Sequence, residues 1–164
     1  MSNQPLDPEV LKQAGQHSIA RLMLQIYRNF QAQTSLRYAQ RGHEGLSLVH
    51  TFLYANLDVA GTRIVTLAER MGTTKQFAGR LVQELESRGY LTTESDPKDR
   101  RASIVRATEA GWRFFSDACE VKAEIEGEYV AVLGGDKMQQ FEQMLTTLAL
   151  HAPAASSDAD PLPM

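Results

Sequence analysis

Two short helical patterns separated by a glycine, followed at once by two β-prone runs, constrain this chain more than any other feature. In residues 63–71, Ile64, Leu67 and Ala68 recur at helical spacing on one side, with Glu69 and Arg70 on the other. Gly72 then supplies a tight turn that lets a second helix cross the first steeply. Thr73 or Thr74 caps that second helix, which runs to about Ser87 and is ended by Gly89. At 100° per residue, Ala78, Leu81, Val82 and Leu85 share one side and must pack inward. Gln76, Gly79, Arg80, Gln83 and Ser87 share the other, with Lys75 at its border near the N-terminus.

Glutamine and arginine carry the paired donors and acceptors that match base edges in a DNA major groove, and Gly79 permits close approach of the backbone. A recognition helix presents its N-terminal residues to bases, and Thr74, Lys75, Gln76 and Arg80 fall there, with Gln83 one turn further. Taken alone, such a face is an ordinary solvated helix surface. The next residues change that. Segments 90–95 and 102–107 are rich in threonine, isoleucine and valine and predict a hairpin. Between them lies Asp96-Pro97-Lys98-Asp99-Arg100-Arg101, a turn starter followed by concentrated cations. A hairpin tip projecting Lys98, Arg100 and Arg101 beside a recognition helix reaches the flanking minor groove and its phosphates, while Asp99 pairs with a neighbouring arginine and fixes its direction.

The charge distribution agrees. The whole chain of 164 residues has a net charge of −3, yet residues 62–106 hold 9 Lys/Arg against 6 Asp/Glu. Only the contacting face of a DNA-binding protein must be positive.

The flanks are helical. A single long helix is predicted over residues 8–40, with Ile19, Leu22, Met23, Ile26, Tyr27 and Phe30 on one stripe. Residues 41–45 break it, and a second helix covers 46–57. Thr108 caps another long helix through Phe114, Phe115, Ile125 and Tyr129. Gly134 and Gly135 stop that helix, and Asp136 starts a last one carrying Met138, Phe141, Leu145 and Leu148. The apolar stripes exceed what the middle can cover, so a homodimer is the economical explanation and an intramolecular bundle the alternative. The expected organisation is a disordered tail (1–7), an N-terminal dimerisation helix (8–45), a winged helix-turn-helix domain (46–112), C-terminal dimerisation helices (113–151) and a second disordered tail (152–164). The fold class is mainly α with a small β-hairpin wing.

The stretches Gly61-Thr62-Arg63, LAERMG, TTKQFAGRLVQELESRGYL, DPKDRR and ATEAGW resemble the MarR family of bacterial regulators, most strongly over residues 46–115. The resemblance implies a winged-helix fold, a homodimer built from the terminal helices, and a pseudo-palindromic operator in double-stranded DNA. It also implies release by a small aromatic or phenolic effector bound between the DNA-binding and dimer regions. His17, Arg21, His50, Tyr54 and Arg113 come from helices that border such a pocket, although each is an ordinary surface, interface or ion-pair residue on its own. Phe77 stands where the family often has a small residue, and it either packs or touches a thymine methyl.

Other classes find little support. The single cysteine, Cys119, lies beside Asp117 and Glu120, which disfavour a thiolate, so a structural thiol is expected. The four histidines show no metal-ligand pair at i, i+4, and no cofactor is expected. No catalytic motif is present, so the chain is not expected to be an enzyme. No apolar run spans a bilayer and no signal-peptide pattern opens the chain, which makes no membrane partner and a cytoplasmic protein the default. The competing reading is a winged-helix protein-interaction module without specific DNA binding.

Overall fold

The computed structural model describes residues 7–9, 12, 18–97 and 99–151. Its elements are α1 (Ile19–Gln40), α2 (Leu48–Ala55), β1 (Thr62–Arg63), α3 (Ile64–Met71), α4 (Lys75–Ser87), β2 (Leu91–Asp96), β3 (Asp99–Ala107), α5 (Glu109–Leu133) and α6 (Gly135–His151). The fold is mainly helical with a small β wing, as expected. The tail expected over 1–7 lies outside the described residues apart from Asp7, and that over 152–164 lies outside them entirely.

The single helix expected over 8–40 is divided. Residues 8, 9 and 12 are helical, but Ser18 is extended (φ −77°, ψ 139°) and caps a new helix by accepting a bond from the Arg21 N–H at 3.2 Å. Serine competes for local backbone bonds and so favours a cap over a helix interior. The 22 residues of α1 span about 33 Å.

The helix-turn-helix forms as the pattern predicts. Gly72 ends α3 in the left-handed region at φ 63°, a conformation that costs a residue without Cβ nothing. Thr74 then caps α4, its Oγ1 accepting from the Phe77 N–H at 3.1 Å. Leu67, Ala68, Ala78, Leu81, Val82 and Leu85 are all buried between the two helices and the core. Thr108 caps α5 and accepts from the Gly111 N–H at 3.0 Å.

The sheet has three strands in the order β1-β3-β2, all antiparallel. Strand β1 was not foreseen, because two residues carry no periodicity. It exists through its pairing of Thr62 with Val105 and Arg63 with Ile104. The wing is also longer than expected. Ser95 pairs with Ser103, but Asp96 pairs with Asp99, so the register shifts and the strand pairing runs on to these two aspartates. Arg100 and Arg101 therefore belong to an irregular stretch of β3 and not to the turn.

The core joins the wing to the helices. Tyr38, Tyr54, Phe114, Leu53, Leu91, Val105 and Ile125 are buried together. Tyr38 and Tyr54 both meet Phe114 edge-on, at centroid distances of 5.3 and 5.6 Å. Phe30 meets Tyr129 at 6.3 Å, and Arg37 on α1 and Arg41 at its C-cap pair with Glu124 and Glu128 on α5. No helix among the described residues is long and apolar enough to cross a membrane.

Candidate nucleic-acid interface

The outer face of α4 emerges as the sequence divided it. Thr74, Lys75, Gln76, Arg80 and Gln83 are exposed, and Gly79 is half-exposed. A Cβ added at Gly79 would meet nothing within 4 Å, so this face is open. Thr74 has a second duty, since its oxygen is committed to the cap. Phe77 is buried, which resolves its two alternatives in favour of packing. Its ring also supports the exposed face, because the Arg80 guanidinium carbon lies 5.5 Å from the Phe77 centroid. Such a cation–π contact limits where an otherwise flexible arginine travels.

Electrostatics follow from where the carboxylates go. Glu84 pairs with Arg88 at 3.0 Å, and Glu86 accepts the Thr93 N–H at 2.8 Å. Glu94 lies 3.5 Å from Arg106, and Asp96 is held by Arg63. Among the described residues no ion pair forms at Lys75 or Arg80. Glu84, Glu86, Glu94 and Asp96 are thus engaged internally and do not neutralise Lys75 or Arg80 on the open face.

Lys98 lies outside the described residues, as do the side chains of Arg100 and Arg101; their backbone forms part of β3. Asp99 is exposed, lies opposite Asp96 in the wing ladder and has an interaction partner. Two residues that carry the geometry were missed from the sequence. Arg63 donates through Nε to Asp96 Oδ2 at 2.7 Å, joining the start of α3 to the end of β2. Asp96 is therefore a buried structural anion as well as a turn starter. The one local signal was an arginine in a helix-capping position, where a short polar residue is preferred.

The residues expected to border an effector pocket are differently placed. His17 lies outside the described residues. Arg21 is exposed, beside a polar recess shared with Leu24, Gln25, Arg28 and Asn29. His50 is buried. Its Nδ1 accepts the Ser47 N–H at 3.0 Å, and its burial holds the imidazole pKa below the ordinary value. The Tyr54 hydroxyl donates to the Tyr90 carbonyl at 2.8 Å, and burial raises its pKa. Arg113 is exposed and pairs with Glu109 one turn earlier, at 2.8 Å. The polar groups of Tyr54 and Arg113 and the Nδ1 of His50 are thus engaged by the chain itself, whereas the buried His50 Nε2 makes no hydrogen bond among the described residues. Cys119 is exposed rather than a packed structural thiol.

The comparisons with known proteins converge on the same unit. The model of the MarR family matches residues 49–102. The transcriptional regulator HosA of Escherichia coli O111:H- is 26% identical over 96 residues, which cover 58% of this chain and 71% of HosA. The Staphylococcus aureus MepR–DNA complex superposes with a TM-score of 0.70 at 16% identity, covering 82% of this chain and 98% of that one. The Streptomyces coelicolor PcaV regulator, solved with its natural ligand, gives 0.62 at 24% identity over 82% and 92% of the two chains. In family model, motif order and fold together, residues 49–102 match the MarR family of winged helix-turn-helix regulators, and the chain as a whole is similar to its members.

Proposed function

We propose that this chain is a ligand-responsive repressor that binds a pseudo-palindromic operator as a homodimer. The observation that carries this reading is the open face of α4. Lys75, Gln76, Arg80 and Gln83 stand exposed there, beside a wing, while the neighbouring carboxylates are paired elsewhere. Gln76, Arg80 and Gln83 read base edges, Lys75 and the α4 N-terminus hold phosphate, and Lys98, Arg100 and Arg101 reach the flanking groove. Asp99 directs one of those arginines.

Dimerisation is supported by the apolar groove along α1, α5 and α6, which Leu22, Met23, Ile26, Tyr129, Phe141 and Leu145 line. Two copies joined there would set two recognition helices about 34–36 Å apart, one turn of DNA. The effector class is a small aromatic or phenolic acid, on the strength of the family resemblance.

A nuclease-protection assay on the DNA adjoining its own gene tests the proposal. Two protected half-sites one turn apart are expected, with log affinity falling linearly in log salt as counterions are released. Members of an aromatic-acid panel should release the DNA. Absence of specific protection at low salt overturns the regulator reading and leaves a protein-interaction module.

A further inference from the structure

The apolar face of α4 sets how the helix is turned about its axis, but a separate polar chain holds its far end. Arg88, the C-cap residue, donates through Nη1 to the Glu44 carbonyl at 2.9 Å, in the connection between α1 and α2. Its Nη2 lies 3.0 Å from Glu84 Oε1, one turn back. The other oxygen of Glu84 faces His50 Nε2 at 3.5 Å, an electrostatic approach that stops short of a hydrogen bond. His50 in turn accepts the Ser47 N–H on Nδ1, which leaves the proton on Nε2, toward Glu84. The series Glu44–Arg88–Glu84–His50–Ser47 therefore runs between the last turn of α4 and the corner at which α1 hands over to α2, with Arg88 as its hydrogen-bonded link and Glu84–His50 as an electrostatic one. The chain makes room for it, since a Cβ at Gly45 would come within 2.9 Å of Arg88 Nη1.

Arg80, Glu84 and Arg88 follow one another at four-residue steps, so the clamp lies on the same edge of α4 as Arg80, one and two turns further on. We infer that His50, Glu84 and Arg88 are positioning residues, which fix the tilt of the recognition helix against the end of α1 and so set the separation of the two half-sites that the dimer accepts. This rests on the dimeric-operator reading above. None of the three needs to touch DNA. The apolar contacts hold α4 in the fold without them, so loss of the clamp changes geometry more than folding.

The test uses the full chain and duplexes built from the operator it selects from a random pool, with zero or one base pair inserted between the half-sites. One added base pair turns a half-site by about 35° and shifts it by about 3.4 Å. Wild type is expected to lose about tenfold or more in affinity on that insertion. Arg88→Gln should bind the native spacing about three- to tenfold more weakly, yet lose only about twofold on insertion. Glu84→Gln, which keeps the shape of the side chain, should move the profile the same way, with melting midpoints close to wild type in both variants. An insertion penalty unchanged from wild type, whether or not overall affinity falls, overturns the positioning role. A wild-type protein indifferent to spacing overturns the dimeric-operator reading itself, and this inference with it.

Discussion

The Arg63 side chain donates to Asp96 across 33 positions of sequence, its Nε 2.7 Å from the Asp96 carboxylate. Asp96 is only 4% exposed, whereas the Arg63 side chain is 45% exposed. Arg63 occupies the N-cap of α3 but makes no side-chain capping bond there. Its guanidinium leaves for the wing instead, so the helix-turn-helix and the wing are held to one another within the protomer.

Arg63→Ala should therefore destabilise the fold by about 1–3 kcal/mol, as expected when a buried polar group loses a partner. The larger figures for fully buried pairs do not apply, because one partner is half in water. Asp96→Asn keeps the shape without the charge and should cost less. Urea unfolding midpoints measure both. Wild-type stability in Arg63→Ala would show that the pair is ornamental.

Gly111 and Gly79 should respond in opposite ways to alanine. A Cβ at Gly111 would overlap the Tyr90 carbonyl and the Tyr54 hydroxyl, which are bonded to each other. Overpacking of that kind costs about 1–3 kcal/mol or more. At Gly79 there is open space within a helix, so alanine should stabilise by up to about 1 kcal/mol. Because Gly79 faces the proposed DNA, the same change should weaken operator binding. Thermal melts beside anisotropy titrations separate the two quantities. A Gly79→Ala variant that is more stable and binds DNA equally well means the backbone does not approach the groove.

Reading and positioning contacts divide by their sequence dependence. Gln76→Ala or Arg80→Ala should relax base preference by about 1–3 kcal/mol at one position of each half-site. Lys98→Ala should weaken all sequences alike and reduce the salt slope by about one ion. Binding to a set of singly substituted operators, repeated over a salt series, distinguishes these patterns.

What was legible in the sequence follows a physical rule. Periodicity of 3.6 residues sorted Ala78, Leu81, Val82 and Leu85 to the buried side of α4, since they need only local spacing to be identified, but left Phe77 open because it stands at the edge of that side. Capping was equally local, and Ser18 was passed over because the apolar stripe continues immediately beyond it. Contacts across long separations left no such trace. The pairing of Arg63 with Asp96 and the two-residue strand β1 exist only when the sheet has closed. His43 belongs with them. Its ring bonds Tyr90 Oη at 2.9 Å and Asp117 at 2.8 Å, joining wing to α5 through partners 47 and 74 positions away. The wing arginines were placed in a turn because cations look like turn residues, although nothing in a charge prevents strand pairing.

Acid should weaken the fold through His50. Burial lowers its pKa from the ordinary 6.5, the Glu84 carboxylate opposing this only in part. Above 6.5 the imidazole is neutral folded or unfolded, and its contribution is complete. As pH falls below that value, the unfolded chain binds a proton the folded one refuses, and stability is lost until the folded imidazole titrates too. Between about pH 7.5 and pH 5.5, wild type should therefore lose more stability than His50→Gln, whose side chain does not titrate. Urea midpoints at the two pH values give the comparison. Equal losses would mean that His50 protonates freely in the native state.

The terminal helices leave the clearest test of assembly. Ile19 is 73% exposed, Leu22 54% and Leu148 61%, all in helices α1 and α6 that frame the apolar groove. Within a lone protomer, Leu22→Glu sits in water and should change stability by no more than about 0.5 kcal/mol. Against a second copy, the twofold axis would repeat the new carboxylate and bury it twice in an apolar contact. Sedimentation should then show wild-type dimers and variant monomers with unchanged helicity. Because two linked half-sites gain about 10²–10⁴ in avidity, operator affinity should fall by a similar factor while single half-site binding survives. A monomeric wild type, or a variant that still dimerises, would show that this face does not join two copies. The apolar stripe would then need a different partner.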